Sequence, residues 1–322
     1  MEAIDQLYRL SAYHPVSGLG YTCAKGGYIT TAARLYVEGI DFNLVYFPLK
    51  HLGYKAVVGV VGELYAALAH PKLLNVVLGV SAKLDFPQVQ DIWMGITVAA
   101  KEHGFEAVNL DLQPSANGLY LSLAATGETA TLTEKRRMAA GSKDLICISG
   151  ALGAAYLGLQ VLERGAKEFS EKGTQPDMSQ YKMLVGDYLR PELEASVVER
   201  LEDVEIYPSY GYFVTKGLSD ALKRLSRDSG LGAKVYADKI PFEGGSFDLG
   251  RELDMDPVSA AMNGGDDCRL LFVVPILHLE KFRREFQTFD VIGHLAQPEV
   301  GTVLVTPEGV EFPVKAQGWR EE

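Results

Sequence analysis

The sequence predicts a mixed α+β protein built from two domains. Three observations lead there. The chain has 322 residues, 47% of them hydrophobic, which is enough for a large core and more than one domain usually holds. Its first half alternates strand-like and helix-like patterns. A polar, basic stretch at 129–143 then separates that half from a second set of strands and helices.

In chain order, 29–37 reads as extended. Leu49, Leu52, Ala56, Val60, Leu64 and Leu68 recur at intervals of three or four, so 49–70 reads as a helix. The short apolar run 73–80 is of strand type, 86–103 is a helix stopped by Gly104, and 119–125 alternates before a turn at Gly127. After the linker at 129–143, a strand is predicted at 144–149 and a helix at 152–162. Further helices follow near 191–201 and at 218–229, the latter closed by Gly230. Strands are predicted at 234–240, 269–274 and 290–295, with a charged helix at 279–286 between the last two. A hairpin of 302–305 with 310–314 turns at Pro307-Glu308-Gly309. The expected boundary between the domains lies at 135/136.

Composition excludes several classes. A formal charge of -11 with no basic run argues against a nucleic-acid partner. Cys23, Cys147 and Cys268 form no CxxC pair, which suggests reduced thiols and a cytoplasmic setting. The six histidines show no HxH or HExxH spacing, so a zinc site is not expected. The acidic N-terminus lacks the apolar core of a signal peptide. Residues 145–162 carry no formal charge and are long enough to mimic a membrane span, but Ser149-Gly150 and Gly153 suit a strand-turn-helix; no membrane partner is expected.

Several motifs occur in a telling order. Val37-Glu38-Gly39-Ile40-Asp41-Phe42 resembles a V-E-G-x-H-F element. Asp144-Leu145-Ile146-Cys147-Ile148-Ser149-Gly150 with Leu152-Gly153 resembles D-x-I-x-V-T/S-G-x-L-G. Gly264-Gly265-Asp266-Asp267 followed by Leu270-Leu271-Phe272 resembles G-G-E-D-Y-E-L-L-F, and Ile292-Gly293 and the tail ending in Gly318-Trp319 complete the series. Each is weak alone, but together they run from Gly18 to Trp319 in the order of the thiamine-monophosphate kinases, a family in the superfamily of aminoimidazole ribonucleotide synthetase. The resemblance implies that superfamily's two-domain α+β fold, with N-terminal domains pairing across a homodimer to form a β-barrel. It also implies transfer of the ATP γ-phosphoryl to thiamine phosphate, giving thiamine diphosphate, with Mg and ATP as cofactors. Such transfers run on positioning and electrostatics, with magnesium held by oxygen ligands.

The family's acidic positions are depleted here. Its G-x-G-D-D-A-A falls on Gly18-Leu19-Gly20-Tyr21-Thr22-Cys23-Ala24. Its S-T-D falls on Ala32-Ala33-Arg34 and its S-D on Gly62-Glu63. Its G-G-D-T-T falls on Asn109-Leu110-Asp111-Leu112-Gln113, its G-D-L-G on Gly150-Ala151-Leu152-Gly153 and its D-x-S-D-G-L on Phe213-Val214-Thr215-Lys216-Gly217-Leu218. Aspartates are thus replaced at Tyr21, Thr22, Arg34, Ala151, Phe213 and Lys216, two of them by cations. A carboxylate cluster is held together by the cations inside it, so its loss is expected to leave weak or no Mg-ATP-dependent activity. The alternative is a metal-independent phosphate or nucleotide binder, or a scaffolding pseudoenzyme.

No residue is assigned a catalytic role. The ligand- or anion-binding candidates are Arg34, Lys216, Gly150, Gly153, Asp266, Asp267 and Trp319, and the residual metal candidates are Glu63 and Asp111. Each has a plainer reading beside it. Asp266 and Asp267 can face a ligand or form a solvated turn. Asp111 can be a leftover ligand or a surface charge. Glu63, in an apolar helical stretch, belongs to a site or to an ion pair, for instance with Arg34. Lys216 opens a helix whose N-terminus favours anions. Trp319 can stack on a ligand or pack the tail, and Gly150 and Gly153 serve a strand-to-helix turn in either case. The DxD of Asp254 and Asp256 reads as surface charge. A small phosphorylated ligand is the expected partner.

Overall fold

The computed structural model describes residues 19–22, 28–173 and 176–319. The expectations for Gly18, Cys23, Ala24 and the first residues of the chain lie outside the described residues, as do the side chains of Tyr21 and Thr22.

Two sheets organise the chain. The first contains β1 (Leu19–Thr22), β2 (Tyr28–Val37), β3 (His70–Ser81), β4 (Ala107–Ser115) and β5 (Tyr120–Thr129) in the order β1-β2-β5-β3-β4. All pairs are antiparallel except β3 with β4, which are joined by a helical crossover. Helices α1 (Leu49–Ala66) and α2 (Phe86–Glu102) cover one face. They cross closely because Gly53 and Gly95 carry no side chain. A Cβ at Gly53 would lie 2.1 Å from the Ile92 carbonyl oxygen, and one at Gly95 would lie 1.9 Å from that of Lys50. Asp85 caps α2 by accepting from the Gln88 amide, while the Gln88 side chain accepts from the Asp85 amide. The other face of the sheet is open. In the single chain β1 and β4 are its free edges.

The second sheet contains β6 (Leu145–Ile148), β7 (Tyr210–Val214), β8 (Gly232–Tyr236), β9 (Arg269–Val274), β10 (Asp290–Ala296), β11 (Thr302–Val305) and β12 (Glu311–Pro313), in the order β12-β11-β8-β10-β6-β9-β7. Only β11 and β8 run parallel. The helices after the first sheet are α3 (Thr131–Arg136), α4 (Ala154–Lys172), α5 (Lys182–Leu189), α6 (Val197–Asp203), α7 (Leu218–Ser229), α8 (Ser246–Leu253), α9 (Pro257–Asn263) and α10 (Leu279–Glu285). Helix α1 is buried along most of its length because it packs on the first sheet and also on β7 and β9 of the second. That double contact sets the site described below.

The architecture is α+β, as the patterns predicted, and 218–229 and 269–274 match element for element. Five expectations change. Gly127 is not a turn but lies inside β5, and the strand expected at 234–240 ends at Tyr236, where a short 3-10 turn follows. The first helix ends at Ala66 because Leu68 takes a positive φ of 58° and turns the chain into β3. The basic stretch after β5 is not all linker, since α3 forms within it. Helix α6 begins at Val197 rather than near Pro191. Strand β4 was not predicted, although Val108, Leu110 and Leu112 alternate with polar residues along it; it is an edge strand, exposed on most of its length. Among the described residues no helix is long and apolar enough to cross a membrane, and 145–162 divides into β6, a turn and the start of α4.

Candidate functional site

The site is a row of charges along α1. Lys55, Gly59 and Glu63 are spaced by four residues and share one face of that helix. The face can meet its neighbours closely because two of its positions are glycine. A Cβ at Gly59 would lie 1.8 Å from the Tyr36 hydroxyl of β2, and one at Gly62 would lie 2.2 Å from the Phe213 ring of β7.

At one end of the row, Lys55 is only 2% exposed. Its ammonium lies 2.6 Å from Asp266 Oδ2, donates to the Tyr188 carbonyl at 2.7 Å, and sits 3.7 Å from the centre of the Tyr188 ring. The other oxygen of Asp266 accepts from Arg34 at 3.2 Å. Burial alone would raise the Asp266 carboxyl, but Lys55 and Arg34 outweigh it and hold the group below its ordinary value. Asp266 has a φ of 65° and Cys268 one of 54°, a backbone that side chains adopt only where the surroundings impose it. A strand, β2, and a helix, α1, thus converge on one carboxylate.

Asp267 turns the opposite way. It is 3% exposed and accepts from the backbone amides of Gly153 at 2.9 Å and Ala155 at 3.3 Å, at the start of α4. Burial pushes its carboxyl up to about 7. Gly153, with φ of 77°, packs so closely on α9 that a Cβ would lie 2.8 Å from the Ala261 nitrogen. Both residues are therefore committed to the helix start rather than facing a ligand.

Further along α1, burial raises the Glu63 carboxyl, and the positive charges of Arg224, Arg34 and Lys216 pull against that shift. Arg224 of α7 faces Asp220, with Nε 3.0 Å from Oδ2. Trp319 Nε1 donates to the other oxygen of Asp220 at 2.9 Å, and the Arg227 guanidinium lies over the indole. Trp319 therefore packs the tail on α7, which is the plainer of its two expected roles. Lys216 is exposed and has no ion pair among the described residues.

The row alternates in sign: Lys55, Asp266, Arg34, Glu63, then Lys216 and Arg224, then Asp220. Positive and negative groups along the row pair with one another rather than leaving its cations free. Phe213, fully buried, fills the space against Gly62.

Asp111 is not brought to this row. Leu35, Ser122, Val77 and Asp111 lie side by side across β2, β5, β3 and β4. This register puts Asp111 on the open face, three strands from β2 or about 14 Å, and its carboxylate accepts from Gln113 at 2.9 Å and 3.1 Å. Glu63 and Asp111, paired in the sequence reading as residual metal ligands, stand on opposite sides of the sheet. Gly150 and Ala151 line a separate cavity of about 640 Å³ with Tyr54, Arg190 and Arg269. Arg269 ties that turn down by donating to Ala151, Glu192 and Asp187. Sequence reasoning missed Lys55, Asp220 and Arg224. Lys55 had the same signal as Glu63, a charge inside an apolar helical run; Asp220 and Arg224 had none beyond helical spacing.

No protein-family model matches the chain. Comparison with known proteins is nevertheless decisive about its relatives. A thiamine-monophosphate kinase of Aquifex aeolicus is 24% identical over 298 residues, covering 92% of this chain and 89% of that one. The chain is a relative of the thiamine-monophosphate kinases. A putative hydrogenase expression/formation protein of Methanocaldococcus jannaschii is also 24% identical, over 86% of this chain and 81% of that one. Among solved structures, AaThiL complexed with AMPPCP and TMP superposes with a TM-score of 0.79 at 20% identity, covering 96% of this chain and 93% of that one. The motif positions expected from the sequence fall on this fold as follows. The S-T-D, S-D and D-x-S-D-G-L positions meet at the charged row through Arg34, Glu63, Phe213 and Lys216. The G-D-L-G position opens on the neighbouring cavity, and the G-G-D-T-T position lies on the open face.

Proposed function

We propose that this chain is a thiamine-monophosphate kinase-like protein whose Mg-ATP-dependent activity is weak or lost. The observation that carries the reading is Asp266, whose two carboxylate oxygens are taken by the internal cations Lys55 and Arg34. The residues present do not fit a magnesium site. Glu63 has Arg224, Arg34 and Lys216 around it beside the single carboxylate of Asp220, Asp111 lies on the other side of the sheet, and among the described residues no group of three or more His, Cys, Asp or Glu side chains is placed to hold a metal ion. Removing one electrostatic group from a transfer site typically costs about 3–4 kcal/mol of barrier, and several are missing here. The test is direct: purified protein with ATP, thiamine phosphate and Mg²⁺ should yield at most trace thiamine diphosphate by chromatography. Turnover at an ordinary kinase rate, about 1–100 per second, would end the reading.

The same proposal covers assembly. The division into two sheets supports domains meeting at 135/136. The open face of the first sheet presents Leu35, Leu73 and Val77 beside the small Ala33, Ser122 and Ala124. An apolar sheet face of this kind suits pairing with a second copy, which would close the barrel expected of the family. A second reading, a metal-independent phosphate binder, is favoured by one observation: Lys216 stands exposed at the row with no ion pair among the described residues.

A further inference from the structure

A second cavity, of about 350 Å³, lies where α1 and α2 end beside the start of α6. That volume suits a small ligand, and none of its lining residues belongs to the charged row. Tyr65, on the last turn of α1, and His103, directly after α2, both line it. The Tyr65 hydroxyl and His103 Nδ1 are 3.0 Å apart and bond each other. His103 is 3% exposed, and its other ring nitrogen, Nε2, has no hydrogen-bond partner among the described residues. Leaving a buried polar atom unpaired is costly. Burial pushes this imidazole down to about 4, against the pull of the Glu102 charge, so the ring is uncharged at pH 7. When Nδ1 donates to the Tyr65 oxygen, Nε2 is left as an acceptor. The cations at the cavity are already committed, Lys72 to Glu106 and His70 to Glu202. Two carboxylates are left over. Glu102 accepts from the Tyr54 hydroxyl at 3.0 Å through one oxygen, and Glu199 of α6 has no ion pair among the described residues. Burial raises the Tyr65 hydroxyl, and the charges of Glu199 and Glu102 raise it further, so both carboxylates stand near one point.

We propose that this cavity binds a small organic ammonium ion, held by Glu102 and Glu199 with His103 Nε2 accepting one of its N–H groups. An ammonium carries three N–H donors and no acceptor, which matches two carboxylates and one imidazole nitrogen. The field has the right sign, because the C-terminal ends of α1 and α2 add the negative ends of their dipoles to the two carboxylates. An anion would meet the same charges as repulsion. A bare metal ion fits less well. Its bonds to oxygen or nitrogen are about 2.1 Å long, and among the described residues no group of three His, Cys, Asp or Glu side chains is close enough together for that. Hydrogen bonds from an ammonium run to about 2.9 Å, so its acceptors can stand further apart. Glu102 and His103 come before α3 and Glu199 after it, so the ligand would tie the first sheet's helices to α6.

The test is calorimetric titration with propylamine, and separately with putrescine, at neutral pH and constant ionic strength. Saturable binding is expected. Tetramethylammonium, a cation without N–H groups, should bind about tenfold more weakly or worse, the factor expected for lost hydrogen bonds to charged groups. Glu102→Gln and Glu199→Gln should each weaken amine binding about fivefold, the share of one partly exposed ion pair. Glu171→Gln, on α4 and outside the cavity, should leave it unchanged. Glu102 and Glu199 are exposed, so both variants keep the fold. In the unaltered protein the ring nitrogens of His103 should shift in an NMR titration with the amine. Tighter binding of putrescine, beyond the statistical advantage of its second ammonium, identifies a diamine as the ligand class, and its absence identifies a monoamine. The proposal is overturned by absence of saturable binding, by equal binding of tetramethylammonium, by unchanged binding in both glutamine variants, or by an unmoved His103 signal.

Discussion

Asp266 offers the sharpest test of the charged row. Replacing it with asparagine keeps its shape and tolerates the positive φ of 65° that asparagine also adopts, while removing the charge. Lys55 is 2% exposed, so its ammonium would lose a partner at 2.6 Å with no water to replace it. Breaking a buried ion pair from one side costs about 3–5 kcal/mol. Two features favour the lower end: Asp266 is 24% exposed, and Lys55 keeps the Tyr188 carbonyl and ring. Arg34 is 25% exposed, and its share should be at most about 1 kcal/mol. The expected cost is therefore about 3 kcal/mol, or a fall of about 6 °C in Tm for a chain of this size. Denaturant unfolding of Asp266→Asn, Lys55→Met and the double variant measures it. The double variant should be more stable than the two single costs predict, by about 2 kcal/mol, because an apolar methionine no longer needs the carboxylate. A cost below about 1 kcal/mol for Asp266→Asn, or strictly additive single costs, would refute the claim that this carboxylate is committed to an internal cation.

Three further outcomes are expected. Asp267 has a folded pKa raised to about 7 against an unfolded value of about 3.9, so the native state binds the extra proton and its contribution to stability falls as pH rises between those values; Asp267→Asn should flatten the pH dependence of unfolding in that window, and an unchanged profile would count against the assignment. Phe213→Asp, which restores the family's carboxylate, should cost more than about 4 kcal/mol because it buries a charge and deletes a packed ring; thermal unfolding checks this, and a stable variant that gained Mg²⁺ binding would show that the row can be reverted one residue at a time. Leu35→Glu on the open sheet face should halve the mass seen by analytical ultracentrifugation, and a dimer that survives it pairs through another surface.

How much of this was legible depends on the kind of interaction. The spacing of Leu52, Ala56, Val60 and Leu64 reports helix α1 by its four-residue step, although the folded helix is buried on nearly every side. Strand β4 was missed although Val108, Leu110 and Leu112 alternate with polar residues in the strand period. The ordered motifs located the row's members Arg34, Glu63, Phe213 and Lys216 in the chain. They did not reveal Lys55, since nothing local marks a lysine that will be buried against an aspartate 211 positions away. Asp266 and Asp267 are adjacent and identical in type, yet one meets two cations and the other two helix amides; a positive φ between neighbours separates them, and no pattern in the letters carries that information.

By itself, then, the sequence determined the α+β class and the kinship with the thiamine-monophosphate kinases, because each of these is a matter of residue type and order. The tertiary structure decided what the surviving charges do. Whether Glu63 and Asp111 can share a metal depends on which side of a sheet each occupies. Whether Arg34 invites an anion depends on Asp266 reaching it from the other end of the chain. Electrostatic energy falls off over a few ångströms, and distances on that scale are set only when α1 is packed between the two sheets.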